Sequence, residues 1–370
     1  MSKPEYILII ANSGRMLAKA AADEGFKPLV IDLFADLDTQ KYAVDFLRVN
    51  SLALSDLAVA TQALNAKYRV KFAIYGAGFE NYSESLVYLE ESFCVYGNSV
   101  ASFLNTQDKP LFFNALKHLD IPYPEVCFTH PPLTKKGWLV KPLQGQGGLG
   151  IKHYYDNHVY EDVYWQKLIS GMPCSVLFLA NAVNVQLVGF NRQWVEEGNG
   201  LEGFIFSGVI NKTELVDKHK ESIVKWLEKL VSFFKLKGLN TLDFIVADDQ
   251  QLYVLEINPR PSASMQLYDA DLLTQHINSC RGELSDLTTQ QHYTAYQIVY
   301  APYDLNIPEA FNWPEECVDL SNVGVTCRKG QPICSIIAHH EQADLLMDTL
   351  KIKQYNLLKG LNSYGIPSKC

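Results

Sequence analysis

The sequence predicts an α/β and α+β protein: a doubly wound α/β domain first, then an α+β region, then a small β-rich region. Three observations predict it. Residues 5–32 run strand, loop, helix, strand, the usual opening of a sheet covered by helices. A glycine-rich stretch from Gln144 to Ile151 follows a short strand carrying Lys141. Residues 241–260, TLDFIVADDQQLYVLEINPR, read as two buried strands about the polar turn Asp248–Gln251.

The 370 residues exceed one small core and divide as 1–98, 99–282 and 283–370. Hydrophobic residues at 48% and charged residues at 20% are those of a soluble globular protein. A net charge of −9 argues against nucleic acid or an anionic membrane as partner, since neither attracts such a surface. MSKPEYILII is a charged start leading into a strand, with neither a signal peptide nor a membrane span in prospect, so a cytoplasmic location is expected. Eight cysteines in so long a chain are no disulfide framework; Cys94, Cys127, Cys174 and Cys334 sit in apolar runs, as reduced thiols do. A homodimer is the default expectation for assembly.

In the first domain, YILIIA is a strand, Asn12–Arg15 a turn, MLAKAAADEG a helix ending at Gly25, and KPLVIDL the next strand. The turn lacks GxGxxG, which disfavours a dinucleotide, yet a helix start can still hold phosphate or carboxylate. VKFAIYG ends in a second such loop, Gly76–Glu80. Ser13, Arg15 and Glu80 are therefore candidate substrate contacts, although plain turn chemistry explains either loop equally well.

From Ser99 the pattern changes. PLFFNALKHLD is a helix with Pro110 in its first turn, and Lys109 stands just ahead. GWLVKPL is a strand bearing Lys141, followed by Gly145, Gln146, Gly147, Gly148 and Gly150. Four glycines in six residues let backbone amides approach an anion closely, and a strand-borne lysine ahead of them suggests a flap over a polyphosphate. Alone, such a loop is as readily a flexible connection. It is not a Walker loop, because Ile151-Lys152-His153 follows where Lys-Ser or Lys-Thr should. VYWQKLISG, with Gln166, Lys167 and Leu168, continues as strand, as do residues 174–195, which carry Ser175 and Arg192, another candidate substrate cation. After strand GFIFSGVI, a helix from about Thr213 to Lys235 buries Ile223, Trp226, Leu227, Leu230 and Phe234, and Gly238 ends it.

In the hairpin that follows, symmetry about the turn sets Asp243 opposite Glu256, and Asn258 shares the face of Glu256. Like charges paired across a sheet repel unless a cation lies between them. Oxygen-only ligands suit a hard cation such as Mg²⁺, with Mn²⁺ as an alternative. Beyond Pro261, SASMQLYDADLLTQHINSCRG looks helical; YTAYQIVYA is a strand, VGVTCRKGQPICSIIA a hairpin about Arg328–Pro332, and Glu341–Leu361 a helix. Cys317, Cys327, Cys334, His339 and His340 lack zinc-site spacing.

Lys109, Lys141 with its glycine loop, Gln166…Gly171…Ser175, and Asp243…Glu256-x-Asn258-x-Arg260 together resemble the ATP-grasp superfamily over about residues 5–280, most specifically in LEINPR. The resemblance implies a pre-ATP-grasp α/β domain and two subdomains gripping ATP. It implies that Lys109 and Lys141 contact phosphates and that the loop Gly145–Gly150 closes over them. Gln166, Lys167 and Leu168 would lie beside adenine and ribose. Asp243, Glu256 and Asn258 would hold Mg²⁺, and Arg260 would face the transferred phosphate. Gln166 and Asp243 depart from the family pattern, which favours glutamate at both positions. Gly76–Glu80, LEINPRPSASM and KGQPICSIIA are most similar to carboligases related to biotin carboxylase, a group including relatives of tyramine–glutamate ligase.

The activity so implied joins a small-molecule carboxylate to an amine through an acyl phosphate, possible without a nucleophilic side chain because positioning and charge neutralisation suffice. It would serve one-carbon cofactor (methanofuran/methanopterin-type) biosynthesis. Three alternatives stay open: a kinase, a bicarbonate-dependent carboxylase, and a module that binds ATP without turnover.

Overall fold

The computed structural model describes residues 6–365 apart from 130, 131, 133–135, 156–160, 197–202, 270 and 288–291. The chain opens with β1 (Tyr6–Ile10), α1 (Arg15–Asp23), β2 (Lys27–Asp32), α2 (Leu37–Tyr42), β3 (Asp45–Arg48), α3 (Leu54–Tyr68), β4 (Phe72–Tyr75), α4 (Ser83–Ser92) and β5 (Cys94–Tyr96). These strands form one parallel sheet in the order β3-β2-β1-β4-β5. Alternate residues of β1 serve the two faces: Ile7 and Ile9 pack with Leu17 and Ala21 of α1, Leu8 and Ile10 with Leu57 of α3 and Leu86 of α4. Helices on both faces are why this strand carries no polar residue.

Next come α5 (Val100–Gln107) and α6 (Lys109–His118). The Asp108 carboxylate accepts from Leu111 N at 2.9 Å, capping α6 and fixing Lys109 as its first residue. Strands β6 (Val126–Cys127), β7 (Trp138–Pro142), β8 (Lys152–His153) and β9 (Val163–Lys167) make an antiparallel sheet in the order β6-β9-β7-β8.

The rest is built on a second, larger sheet. Its strands are β10 (Gly171–Asn181), β11 (Val185–Val195), β12 (Phe206–Ile210), β13 (Lys237–Ala247) and β14 (Leu252–Asn258), with α7 (Asp217–Phe234) leading into β13. After α8 (Leu272–Cys280) come β15 (Tyr293–Tyr300), β16 (Leu305–Asn306), β17 (Cys317–Val318), β18 (Thr326–Cys327), β19 (Pro332–His340) and α9 (Ala343–Gly365). The sheet order is β14-β13-β10-β11-β12-β15-β19-β17, so β15 hydrogen-bonds β12 and the sheet crosses residue 283 without a break. One face rests on α7, whose Ile223, Leu227, Leu230, Val231 and Phe234 are at most 3% exposed. Burial stabilises by about 1.5–3 kcal/mol per large side chain of this kind. No helix among the described residues is long and apolar enough to cross a membrane.

Four expectations are corrected. The helix before the β13–β14 hairpin ends at Phe234 and is capped by Lys235 (φ +56), and Gly238 (φ +71) lies inside β13. There a Cβ would meet the His276 ring at 2.5 Å, so glycine lets the strand pass beneath a histidine whose Nδ1 accepts from Leu239 N at 2.8 Å. Residues 262–282 are not one helix: a 3-10 turn covers Ala263–Leu267 and α8 begins only at Leu272. The two arms about Arg328–Pro332 do turn (Gln331 N to Arg328 O, 2.9 Å) but do not pair with each other. Instead β18 pairs with β16, and β19 with β15 and β17. Of the thiols expected in the core, Cys174 and Cys334 are buried, whereas Cys94 is exposed and Cys127 only half-buried.

Candidate active site

The site grows from the β13–β14 hairpin. Gln250, at φ +67, donates its N–H to Ala247 O at 2.8 Å, so the turn spans three residues and not four. Pairing runs Val246 with Leu252, Ile245 with Tyr253 and Phe244 with Val254; Leu255 is then bulged out, and Asp243 meets Glu256. The short turn and the bulge offset one another, which restores the pairing that symmetry predicts.

Basic groups from two other elements close on this pair. Lys109 Nζ, 5% exposed at the start of α6, donates to Glu256 Oε2 at 3.2 Å. Lys141 Nζ, on β7, donates to Gln166 Oε1 on β9 at 3.1 Å, leaving the buried Gln166 Nε2 without a partner. Burial and the Glu256 charge push Asp243 up to about 7. Burial acts on Glu256 in the same direction, but Lys109 and Lys141 outweigh it and hold Glu256 below the usual carboxylate range. The Glu256 side chain keeps 31% of its surface open to the cavity, so solvent moderates these effects.

Asn258 Nδ2 donates to Asp243 Oδ2 at 2.9 Å, and Asn258 Oδ1 accepts from Arg260 Nη2 at 3.3 Å. Gln193 Nε2 on β11 donates to Asp243 Oδ1 at 3.2 Å. Arg260 Nε and Nη2 both lie 3.3 Å from Glu80 Oε1, and Glu80 Oε2 accepts from Gly78 N at 3.0 Å. Both partners are nearly enclosed, at 9% and 7% exposure. Glu80 comes from the loop after β4, so the parallel sheet delivers an acid to the hairpin's arginine.

These groups border one cavity of about 890 Å³. Its walls include Lys141, Gln146–Leu149 of the flap, Gln166–Ile169 after β9, and Asp243, Glu256, Asn258 and Arg260. The flap rests on β12 through Phe206 N donating to Gly147 O at 3.0 Å. At Gly148 (φ +79) a Cβ would lie 1.8 Å from Phe204 O, so this position needs glycine. Apolar groups line the hinge end: Pro124, Leu139, Ile169 and Leu255.

Of the sequence candidates, Lys141, Gln146, Gly147, Gly148, Gln166, Lys167, Leu168, Asp243, Glu256, Asn258 and Arg260 line the cavity, and Lys109 and Glu80 reach it through Glu256 and Arg260. Ser13, Arg15, Gly145 and Arg192 do not line it. Arg15 is 1% exposed and spends its Nε on Asp319 Oδ1 at 2.8 Å. Ser13 Oγ turns to Asp36 at 3.4 Å. Arg192 alternates with Gln193 along β11 and so leaves the opposite face of the sheet, in register with Cys174. Sequence reasoning missed Gln193, the linked hydroxyls of Thr241, Ser262 and Ser264 (2.6 and 2.9 Å), and Tyr296. No local pattern signals them, because each depends on pairing between distant strands.

A two-carboxylate pair facing basic residues, with an amide oxygen within reach, fits a hard divalent cation. Asp243 and Glu256 would hold it, and Asn258 would join them once its amide turned its oxygen toward Asp243.

The ATP-grasp domain family matches residues 106–264. A biotin carboxylase from Campylobacter jejuni, solved as a β,γ-ATP complex, superposes with a TM-score of 0.75 at 15% identity, over 95% of this chain and 91% of that one. The biotin carboxylase domain of Hydrogenobacter thermophilus 2-oxoglutarate carboxylase, a dimer with MgADP, ADP and bicarbonate, gives 0.74 at 14% identity over 95% and 90%. An L-amino acid ligase from Bacillus licheniformis gives 0.70 at 12% identity over 95% and 98%. Residues 106–264 thus match the ATP-grasp domain family, and the chain as a whole carries the ATP-grasp fold.

Proposed function

We propose that this protein is an ATP- and Mg²⁺-dependent carboxylate–amine ligase acting through an acyl phosphate. One observation carries the reading: Lys109, Lys141, Asp243, Glu256, Asn258 and Arg260, drawn from four separate parts of the chain, converge at one cavity beneath a glycine flap. The likeness to nucleotide-bound carboxylases and to an amino acid ligase supports it.

Each group has a task. Lys141 and Lys109 neutralise phosphate oxygens, and the Gly147 and Gly148 backbone closes over them. A bound Mg²⁺ would supply further charge neutralisation at those oxygens. Pro124, Leu139, Ile169 and Leu255 offer the adenine an apolar slot. A carboxylate oxygen attacks the γ-phosphorus and the bond to the β,γ-bridging oxygen breaks, releasing ADP. The amine nitrogen then attacks the acyl carbon, the carbon–oxygen bond to phosphate breaks, and the ammonium proton passes to solvent. Arg260 holds the anionic end of the acid and balances charge as phosphate leaves.

The finer reading, one-carbon cofactor biosynthesis of the methanofuran or methanopterin type, rests on the family resemblance alone and makes glutamate with tyramine the first pair to screen. The carboxylase neighbours favour one second reading, ATP-dependent carboxylation with bicarbonate. An ADP-release screen of acids against amines, read by product mass, decides between them. Amide products support the ligase. Label from bicarbonate in the product supports the carboxylase, and a stable phosphorylated acid without amine dependence refutes both.

A further inference from the structure

Arg260 does not stand alone at its end of the cavity. Thr241 on β13, in register with Asn258, lines the same cavity, as do Ser262 and Ser264 beyond Pro261. Their hydroxyls are linked in a row: Thr241 Oγ1 and Ser262 Oγ lie 2.6 Å apart, Ser262 Oγ and Ser264 Oγ 2.9 Å apart. Ser262 is two residues from Arg260, a span of at most about 7 Å between Cα atoms, so the row starts beside the arginine.

Counting hydrogens orients the row. Three hydroxyls hold three O–H donors, and the two hydrogen bonds between them use two. Thr241 and Ser264 are 2% and 4% exposed, and neither hydroxyl has a further partner among the described residues. A buried donor left unpaired is costly, so both ends spend their hydrogens on Ser262, which is only half-buried. Ser262 Oγ then accepts two bonds, which polarise its own O–H, and that O–H is the one left for the cavity. Arg260 leaves a second donor there. Its Nε and Nη2 go to Glu80 and Asn258, while Nη1 has no partner among the described residues.

Two adjacent donors, one charged and one polarised, suit an oxygen that gains negative charge during reaction. Building on the ligase reading, we propose that Ser262 is a catalytic residue: with Arg260 it donates to the acyl oxygen of the phosphorylated acid. As the amine nitrogen bonds to the acyl carbon, the C=O electron pair moves onto this oxygen. The pair returns as the carbon–oxygen bond to phosphate breaks, phosphate leaves with the bonding electrons, and the ammonium proton passes to solvent. Ser262 keeps its own proton throughout. Thr241 and Ser264 act through it, as positioning residues.

The test supplies pooled mono-, di- and amino-carboxylic acids with pooled primary amines, and reads amide products by mass. Without amines, scrambling of the β,γ-bridging oxygen of labelled ATP reports acyl-phosphate formation by itself. In Ser262→Ala the kcat for amide should fall about 100-fold relative to scrambling, the scale of one lost oxyanion donor, with the KM for ATP held. Ser262→Thr keeps the hydroxyl and should recover most of that rate. Ser262→Cys keeps the shape with a weak donor, and should show the loss even if the alanine variant fails to fold. Amide formation unchanged in the cysteine variant, or falling no further than scrambling, overturns the proposal while the ligase reading stands. Wild-type protein that gives neither scrambling nor amide sinks the ligase reading and this proposal together.

Discussion

Asp243 and Glu256 face one another across β13 and β14 only because Leu255 stands outside the ladder between them. Two half-buried carboxylates in register are a liability without a partner of opposite sign, and Lys109 supplies part of one at 3.2 Å. Glu256→Gln keeps the shape and removes the charge. It should lower kcat/KM for ADP release by on the order of 100-fold or more, the scale of losing a group that stabilises developing charge, and weaken Mg²⁺ binding by calorimetry. Unchanged turnover would remove the hairpin from the chemistry.

Lys141→Ala should act on the nucleotide. Losing a charge-assisted contact worth about 1.5–3 kcal/mol raises the KM for ATP by roughly 10- to 100-fold. Steady-state kinetics with ATP varied at fixed acid and amine checks this.

Gly148 holds the flap against β12 at φ +79, with Phe204 O where a Cβ would go. Gly148→Ala should therefore prevent the seated flap and raise the KM for ATP several-fold while global stability changes little. Thermal unfolding and ATP titration, run side by side, separate these two effects.

Glu80 and Arg260 form a pair that is all but closed to solvent. Glu80→Ala strands the guanidinium, and breaking a buried pair from one side costs about 3–5 kcal/mol. Denaturant unfolding should show that loss, with Glu80→Gln recovering part of it through its remaining acceptor.

Asp36 should give the stability curve a pH dependence unrelated to turnover. Burial, then the charges of Asp319, Asp32 and Asp38, push it up to about 8, with Arg15 the opposing cation. A carboxyl raised in the folded state adds stability that is complete below its unfolded value and lost as pH rises through the folded one. Tm should thus fall between about pH 4 and pH 8. Asp36→Asn should flatten the curve and gain on the order of a few °C at the alkaline end.

The fold was legible wherever pattern is local. YILII declares a doubly covered parallel strand, the stripe of α7 declares its buried face, and the pattern up to LEINPR declares the carboxylate-bearing hairpin. Its register was foreseen by a symmetry the chain does not obey, since a three-residue turn and the Leu255 bulge cancel. What stayed hidden is set by distant pairing. Arg15 looked like a loop cation beside a ligand; the segment that claims it, at Asp319, lies 304 residues away. Gln193 joins the site only because β11 lies two strands from β13. The arms around Arg328–Pro332 read as partners because alternation describes a strand and says nothing of which neighbour it takes.

The hydrogen-bonded seam between β12 and β15 bears on how divisible this protein is. Cut at residue 282, the part that carries the flap and the β13–β14 hairpin would end in a bare strand edge, with Tyr296, Ile298 and Tyr300 removed from one side of the cavity. An unpaired edge of that kind recruits other chains, so the excised fragment should aggregate. Grafting a different carboxyl-terminal region onto residues 1–282 would therefore have to supply a strand in the β15 position before it could supply anything else.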